Sequence, residues 1–209
     1  MGHSSSDIAF TSTVKALQTE RGSRAVYAKM EARGGFRTGV TDELAEFLAG
    51  VDTAYLATAN TDGQPYAQHR GGPKGFIRAI DDRTVGFADF AGNRQYITAG
   101  NLSENAKAFL FLMDYAHRRR IKLWGRARIV EGDAELAARL MPDGYRARPE
   151  QVILFTIEAW DVNCPQHIPQ KFDAADVAAA VSRFEDRIAV LEAENATLKA
   201  QMRAEGTPQ

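Results

Sequence analysis

Cysteine is nearly missing from this chain: Cys164 stands alone among 209 residues. One thiol excludes an internal disulfide and a thiol-based metal cage, and it fits a reducing compartment. No apolar run reaches the roughly 20 residues a membrane-spanning helix needs, and no basic-then-apolar signal pattern opens the chain. We therefore expect a cytoplasmic protein with no membrane partner. An excess of one charge is also lacking. The 26 Lys and Arg against 27 Asp and Glu leave a formal net charge of −1, which argues against wholesale attraction to nucleic acid. Catalytic signatures are equally scarce. Ser and His residues are scattered, no His-x-x-x-His pair exists, and Asp81-Asp82 sits in an expected turn. Gly71-Gly72-Pro73 is too isolated for a dinucleotide fingerprint, and no internal repeat is visible.

What is present reads as one core with an appendage. The first fifty residues are helix-compatible; Gly34-Gly35 interrupts them, and Thr41-Asp42-Glu43 resembles an N-cap before Leu44, Phe47 and Leu48. Short strands follow. Thr53 to Thr58 and Gln64 to Arg70 flank the turn Thr61-Asp62-Gly63 as a hairpin, and Phe76 to Ile80 pairs with Thr84 to Phe87 around Asp81-Asp82. A loop with a short helix fills Ala91 to Asn105. Phe109 to Met113, Arg119 to Val130 and Val152 to Trp160 complete the strands, with Asp133 to Leu140 a helix between the last two. Six or so antiparallel strands with small helices suggest a closed or nearly closed barrel.

The tail has another pattern. After Phe172 and Asp173 the chain is rich in Ala, Glu, Arg and Leu and free of Gly and Pro up to Gly206, which favours helix. Apolar residues recur in steps of four and three. In heptads, Val181, Ile188, Asn195 and Met202 take position a, and Val177, Phe184, Leu191 and Leu198 take d. This seam predicts a homodimer through a parallel coiled coil, because Asn at a hydrogen-bonds its counterpart across two chains. The competing reading is an amphipathic helix docked on its own domain.

Cations and amides gather at expected strand ends. They are Gln68-His69-Arg70-Gly71-Gly72-Pro73, Gly92-Asn93-Arg94-Gln95, and a basic run of His117-Arg118-Arg119-Arg120 with Lys122, Arg126 and Arg128. Arginine forks onto phosphate oxygens, glycine admits a planar ligand to the backbone, and amides bond a heterocycle edge. Arg120, Lys122 and Trp124 share one strand face while Ile121 and Leu123 point to the core. The alternative for these cations is a solvated sheet face.

These segments carry a resemblance. Pro65 to Arg70, Val85 to Phe90 leading into Gly92-Asn93-Arg94-Gln95, Arg119 to Arg126, and Trp160 to Phe172 stand in the order found in the pyridoxamine 5′-phosphate oxidase-like FMN-binding split-barrel family. Gly92 to Leu102 and Cys164-Pro165-Gln166-His167-Ile168-Pro169 look most like an uncharacterised flavin-binding subgroup. The resemblance spans Val51 to Phe172. It implies an α+β, mainly antiparallel split β-barrel with small flanking helices and a C-terminal coiled-coil helix. Its divisions are a helical extension over 1–50, the barrel over 51–172 and the tail over 173–209. It further implies FMN at the subunit interface of a homodimer. Contacts to the ring and ribityl chain fall on Gln68, His69, Arg70, Gly71, Gly72 and Pro73. The phosphate end falls on Phe87, Ala88, Asn93, Arg94 and Gln95, and Arg120, Trp160 and Lys171 complete the site.

The departures are as informative. Oxidases of the vitamin B6 phosphates carry a lysine where Pro73 stands and an Arg-Leu-His triplet near Gln166-His167-Ile168-Pro169. The expected function is thus an FMN-dependent oxidoreductase acting on a small molecule other than pyridoxamine phosphate, with NAD(P)H considered as electron donor. His167 is either a proton donor beside the flavin or structural. Cys164 is either redox-active or a packing residue. Two alternatives stand beside the enzyme: a non-catalytic flavin carrier or sensor whose tail docks a partner, and a haem-binding relative with His69 or His167 as axial ligand.

Overall fold

A computed structural model describes residues 3–162 and 165–205. The chain divides into two compact units, Met1–Ile168 and Pro169–Gln209.

In the first unit, a 3-10 turn at Ser5–Ile8 precedes helices α1 (Ser12–Glu20), α2 (Arg24–Ala32) and α3 (Asp42–Gly50). Thr11 and Thr41 start α1 and α3 by accepting the amide of the third residue on, which satisfies an otherwise orphaned helix donor. The strands are β1 (Thr53–Ala59), β2 (Pro65–Gly71), β3 (Arg78–Ala79), β4 (Thr84–Phe90), β5 (Lys107–Asp114), β6 (Arg119–Val130) and β7 (Pro149–Val162). Helix α4 (Ile97–Glu104) precedes β5, and α5 (Ala134–Leu140) lies between β6 and β7. They form one seven-stranded antiparallel sheet in the order β2-β1-β5-β6-β7-β4-β3.

Strand alternation builds the core. Along the register, Gln68 lies opposite Leu56, Leu56 opposite Leu110, Leu110 opposite Leu123 and Leu123 opposite Trp160. These side chains share a face, and all but Gln68 belong to the main core, which also takes Leu44, Phe47 and Leu48 of α3. A second small core of Ala88, Leu140, Val152 and Leu154 lies on the other side of β4 and β7. Strand β4 is thus covered on both faces, which is why it reads as a nearly unbroken apolar run.

Two expectations are corrected. Phe76 to Ile80 forms only the two-residue β3. Phe76 instead donates its amide to the Pro73 carbonyl in a turn, and its ring and Ile77 enter the core from a loop. The basic run also does not make one patch. Arg119 sits 5.2 Å from the Phe47 ring on the core side, and Arg120, one residue on, occupies the opposite face.

The short β3 shapes the site. It pairs with Val85 and Gly86 alone, so β4 beyond Phe87 has no backbone neighbour on that edge. Strand β2, at the far end of the sheet order, pairs only with β1. The sheet curls until these two edges face each other, joined by side chains instead of backbone bonds. That is a split barrel.

The second unit holds α6 (Ala174–Glu205), a helix of 32 residues. No helix among the described residues is long and apolar enough to cross a membrane.

Candidate functional site

The gap between β2 and β4 is bridged by charge. Arg70 Nη1 donates to Asp89 Oδ1, and Gln151 Nε2 on β7 donates to Asp89 Oδ2 at 2.8 Å. Asp89 points the same way as Val85 and Phe87 and is buried, so its charge requires these partners. Arg70 Nη2 also donates to Gln68 Oε1 at 2.9 Å, and Thr98 Oγ1 on α4 donates to the same oxygen at 2.8 Å. With that oxygen engaged twice, what Gln68 can offer a ligand is its NH2 group.

Two adjoining clefts follow this gap. One of about 230 Å³ runs from Gln68, Arg70 and Asp89 to the loop Asn93-Arg94-Gln95 and the start of α4. The other, of about 190 Å³, shares Gln68, Arg70 and Asp89 and continues past His69, Gly71, Phe87 and Ala88. Arg70 Nε is buried and finds no acceptor among the described residues.

The loop before α4 is strained. Arg94 and Tyr96 have φ of 58° and 53°, the left-handed region that non-glycine residues rarely adopt. Tyr96 occupies the N-cap of α4, yet no side chain caps the helix, so its first amides and partial positive charge remain open. Arg94 Nε donates to the Tyr96 hydroxyl at 3.0 Å, and that hydroxyl donates to Glu150 Oε1 at 3.1 Å. The Tyr96 bond first, then the Glu150 charge, keeps the Arg94 guanidinium protonated even more firmly than usual.

Nine of the residues that the sequence nominates thus meet along one trough: Gln68, His69, Arg70 and Gly71 from β2, Phe87 and Ala88 from β4, and Asn93, Arg94 and Gln95 from the loop. Others do not line it. Gly72 is pressed against Phe76, where an added Cβ would lie 2.8 Å from the Phe76 Cβ; it and Pro73 form the turn that carries Phe76 into the core. Trp160 is fully buried in the main core. Its indole Nε1 donates to the Gly39 carbonyl at 2.7 Å, and the Arg37 guanidinium lies 4.5 Å from the ring centre. Arg120 lies on the other sheet face, and its Nε is also buried without an acceptor among the described residues. His167 is exposed at φ 62°, and Lys171 is exposed in the second unit. Cys164 lies outside the described residues.

Asp89, Tyr96, Thr98 and Gln151 were missed. For Asp89 there was a signal, a single carboxylate inside the apolar run Val85-Gly86-Phe87-Ala88-Asp89-Phe90, which must find a cation somewhere in the fold.

The class defined here is an antiparallel split barrel with a donor-lined trough at its open edge. The family model for pyridoxamine 5′-phosphate oxidase matches residues 40–164, more than half of the chain, and the chain belongs to that family. Among solved structures it is similar to HupZ of Group A Streptococcus, at 21% identity over 64% of this chain and 99% of that one, with a TM-score of 0.49. It is also similar to an FMN-binding protein of Syntrophomonas wolfei, at 14% identity over 70% and 97%, TM-score 0.46. HutZ of Vibrio cholerae, a heme storage protein, matches at 17% identity over 57% and 92%, TM-score 0.43. Comparison with the curated proteins found no match.

Proposed function

We propose that this chain is an FMN-binding oxidoreductase, working as a homodimer on a small molecule other than pyridoxamine phosphate. The observation that carries the reading is the buried Arg70 Nε, a donor without an acceptor among the described residues, on a residue lining a trough that offers further donors beside the Glu150 carboxylate. Gln68 offers its NH2 group, Arg94 its guanidinium and α4 its uncapped amides. Such a set fits an acceptor-rich anion. The phosphate of FMN belongs beside Arg94 and the α4 terminus, and the ring and ribityl chain along Gln68 to Gly71.

FMN supplies reversible electron and hydride transfer when bound; the residues of this chain hold and orient it. Asp89, itself held by Gln151, and Gln68 fix the Arg70 fork and leave its Nε without an acceptor among the described residues. Pro73 in place of a lysine, and Gln166 to Pro169 in place of Arg-Leu-His, remove the cationic grip that a B6 phosphate needs.

The two faces of the sheet support the homodimer reading. Arg70 and Arg120 lie on opposite faces, so one ligand cannot reach both within a single barrel. A second copy that presents its own Arg120 to this trough would satisfy both buried Nε donors and set the flavin at the interface.

The test is the spectrum of protein purified from cells. Flavin absorbance, or stoichiometric uptake of added FMN, supports the reading, and bleaching by NAD(P)H with aerobic recovery supports catalysis. Bound FMN that stays inert indicates a carrier or sensor instead. Absence of any FMN binding overturns the flavin assignment, and a Soret band replaces it with haem at His69 or His167.

A further inference from the structure

We infer that α6 is one strand of a parallel, in-register, two-stranded coiled coil whose other strand is α6 of a second copy of this chain. The inference stands apart from the flavin reading. All seven apolar residues at the a and d positions are exposed, up to 70% for Phe184 and 72% for Met202. A helix of 32 residues is about 48 Å long at 1.5 Å per residue, so the helix by itself carries a long apolar stripe.

Three observations identify the occupant. The first is the shape of the stripe. A groove on α6 is lined by Ile188, Leu191, Glu192 and Asn195, with Ala196 and Lys199 at its edge. The first four occupy a, d, e and the next a. In a parallel pair these four form the hole that receives the facing d side chain, here Leu191 of the second copy.

The second is charge. In the parallel register, each g side chain meets the e side chain five residues further along the other helix. Arg187 at g then meets Glu192 at e, and Glu194 at g meets Lys199 at e. Both pairs are of opposite sign, and the two-fold axis repeats each of them. A foreign helix would need the same alternation by coincidence; a second copy carries it by identity.

The third is Asn195. Parallel and in register, its amide meets its own counterpart, and the donor of one bonds the carbonyl of the other. An antiparallel pair would set it against a leucine at d and leave the amide unsatisfied. A β-branched residue at a, such as Ile188, with leucine at d also favours two strands over three or four.

The test uses the full chain with Cys164→Ser, so that added thiols are the only ones. Met202→Cys puts a thiol at the last a layer, and Ser182→Cys puts one on the outward flank. Mild oxidation at low protein concentration should convert most of the Met202→Cys protein into a disulfide-linked dimer and leave the Ser182→Cys protein uncoupled. An antiparallel pair that sets Asn195 against Leu198 or Leu191 holds the two Met202→Cys sites roughly 16 to 27 Å apart. That arrangement, or an unrelated partner helix, gives no cross-link and overturns the proposal; so does equal coupling at both positions. Arg187→Glu should weaken dimer coupling severalfold, and adding Glu192→Arg should restore it. If the double variant is no better than the single, the register is wrong. Cross-linking is read without flavin, so its failure and the failure of FMN binding are separate results.

Discussion

Arg70 on β2 and Asp89 on β4 form an ion pair across a gap where, among the described residues, the two strands share no backbone pairing. Both side chains are largely buried, at 13% and 9% exposure. Removing one member leaves the other as an uncompensated buried charge, which costs roughly 3–5 kcal/mol. Asp89→Ala should lower Tm by about 10 °C for a chain of this size. Arg70→Leu with Asp89→Leu should recover most of that loss, although its FMN binding should stay weak. Thermal melts of the three proteins decide it; an unchanged Tm for Asp89→Ala would mean that the pair does not hold the edge shut.

Arg94 is exposed; its Nε donates to the Tyr96 hydroxyl, with the Glu150 carboxylate beyond it. Arg94→Ala should therefore leave Tm within about a degree of the parent. It should weaken FMN roughly 10- to 100-fold, the equivalent of a lost charge-assisted bond of about 1.5–3 kcal/mol. Fluorescence titration with FMN reads this directly, and equal affinity would take Arg94 out of the site.

Trp160 separates two roles. Its N–H is taken by the Gly39 carbonyl inside the core, so Trp160→Phe should cost about 1–2 kcal/mol of stability with FMN affinity unchanged. A drop in affinity at constant Tm would instead restore Trp160 to the cofactor, as the family pattern implies.

The N-terminal helices are tied by carboxylates. Asp7 is held below its usual pKa by the Lys15 ammonium and then by the Ser4 amide. Burial pushes Glu31 up, but Arg24 and Lys15 outweigh it, and it also titrates below the usual value. A depressed folded pKa gives stability that is present above the unfolded value, about 4, and is lost as pH falls through the folded value. Lys15 is raised by the same partners, so its share is present below the usual lysine value and is lost as pH rises beyond it. Amide protection over residues 4–33, measured relative to intrinsic exchange, should be high near neutrality and fall below about pH 4. A rate that only follows intrinsic exchange would refute the coupling.

Local chemistry was legible in the sequence where a pattern repeats within a few residues. The hairpin around Thr61-Asp62-Gly63, the alternation of Ile121 and Leu123 and the helix over Asp133 to Leu140 all follow from it. What required the fold was pairing across distance. Arg70 and Asp89 are nineteen residues apart with no periodic link, and Trp160 finds Gly39 121 residues away. The basic run misled because consecutive strand residues point to opposite faces, and adjacency in sequence reads as a patch that alternation takes apart. Phe76 looked like strand because buried loop residues and strand residues are apolar alike.

The chain holds two tryptophans, and their surroundings differ. Trp160 lies in the core, while Trp124 on the outward side of β6 stacks on Phe36 at 5.2 Å, with Phe10 5.3 Å beyond it. In the Trp160→Phe protein a single tryptophan therefore remains, packed against Phe36 of the N-terminal segment and excited selectively at the red edge of its absorption. Its emission wavelength becomes an optical gauge of whether that segment is seated on the barrel, short when Phe36 covers the indole and longer when water replaces it.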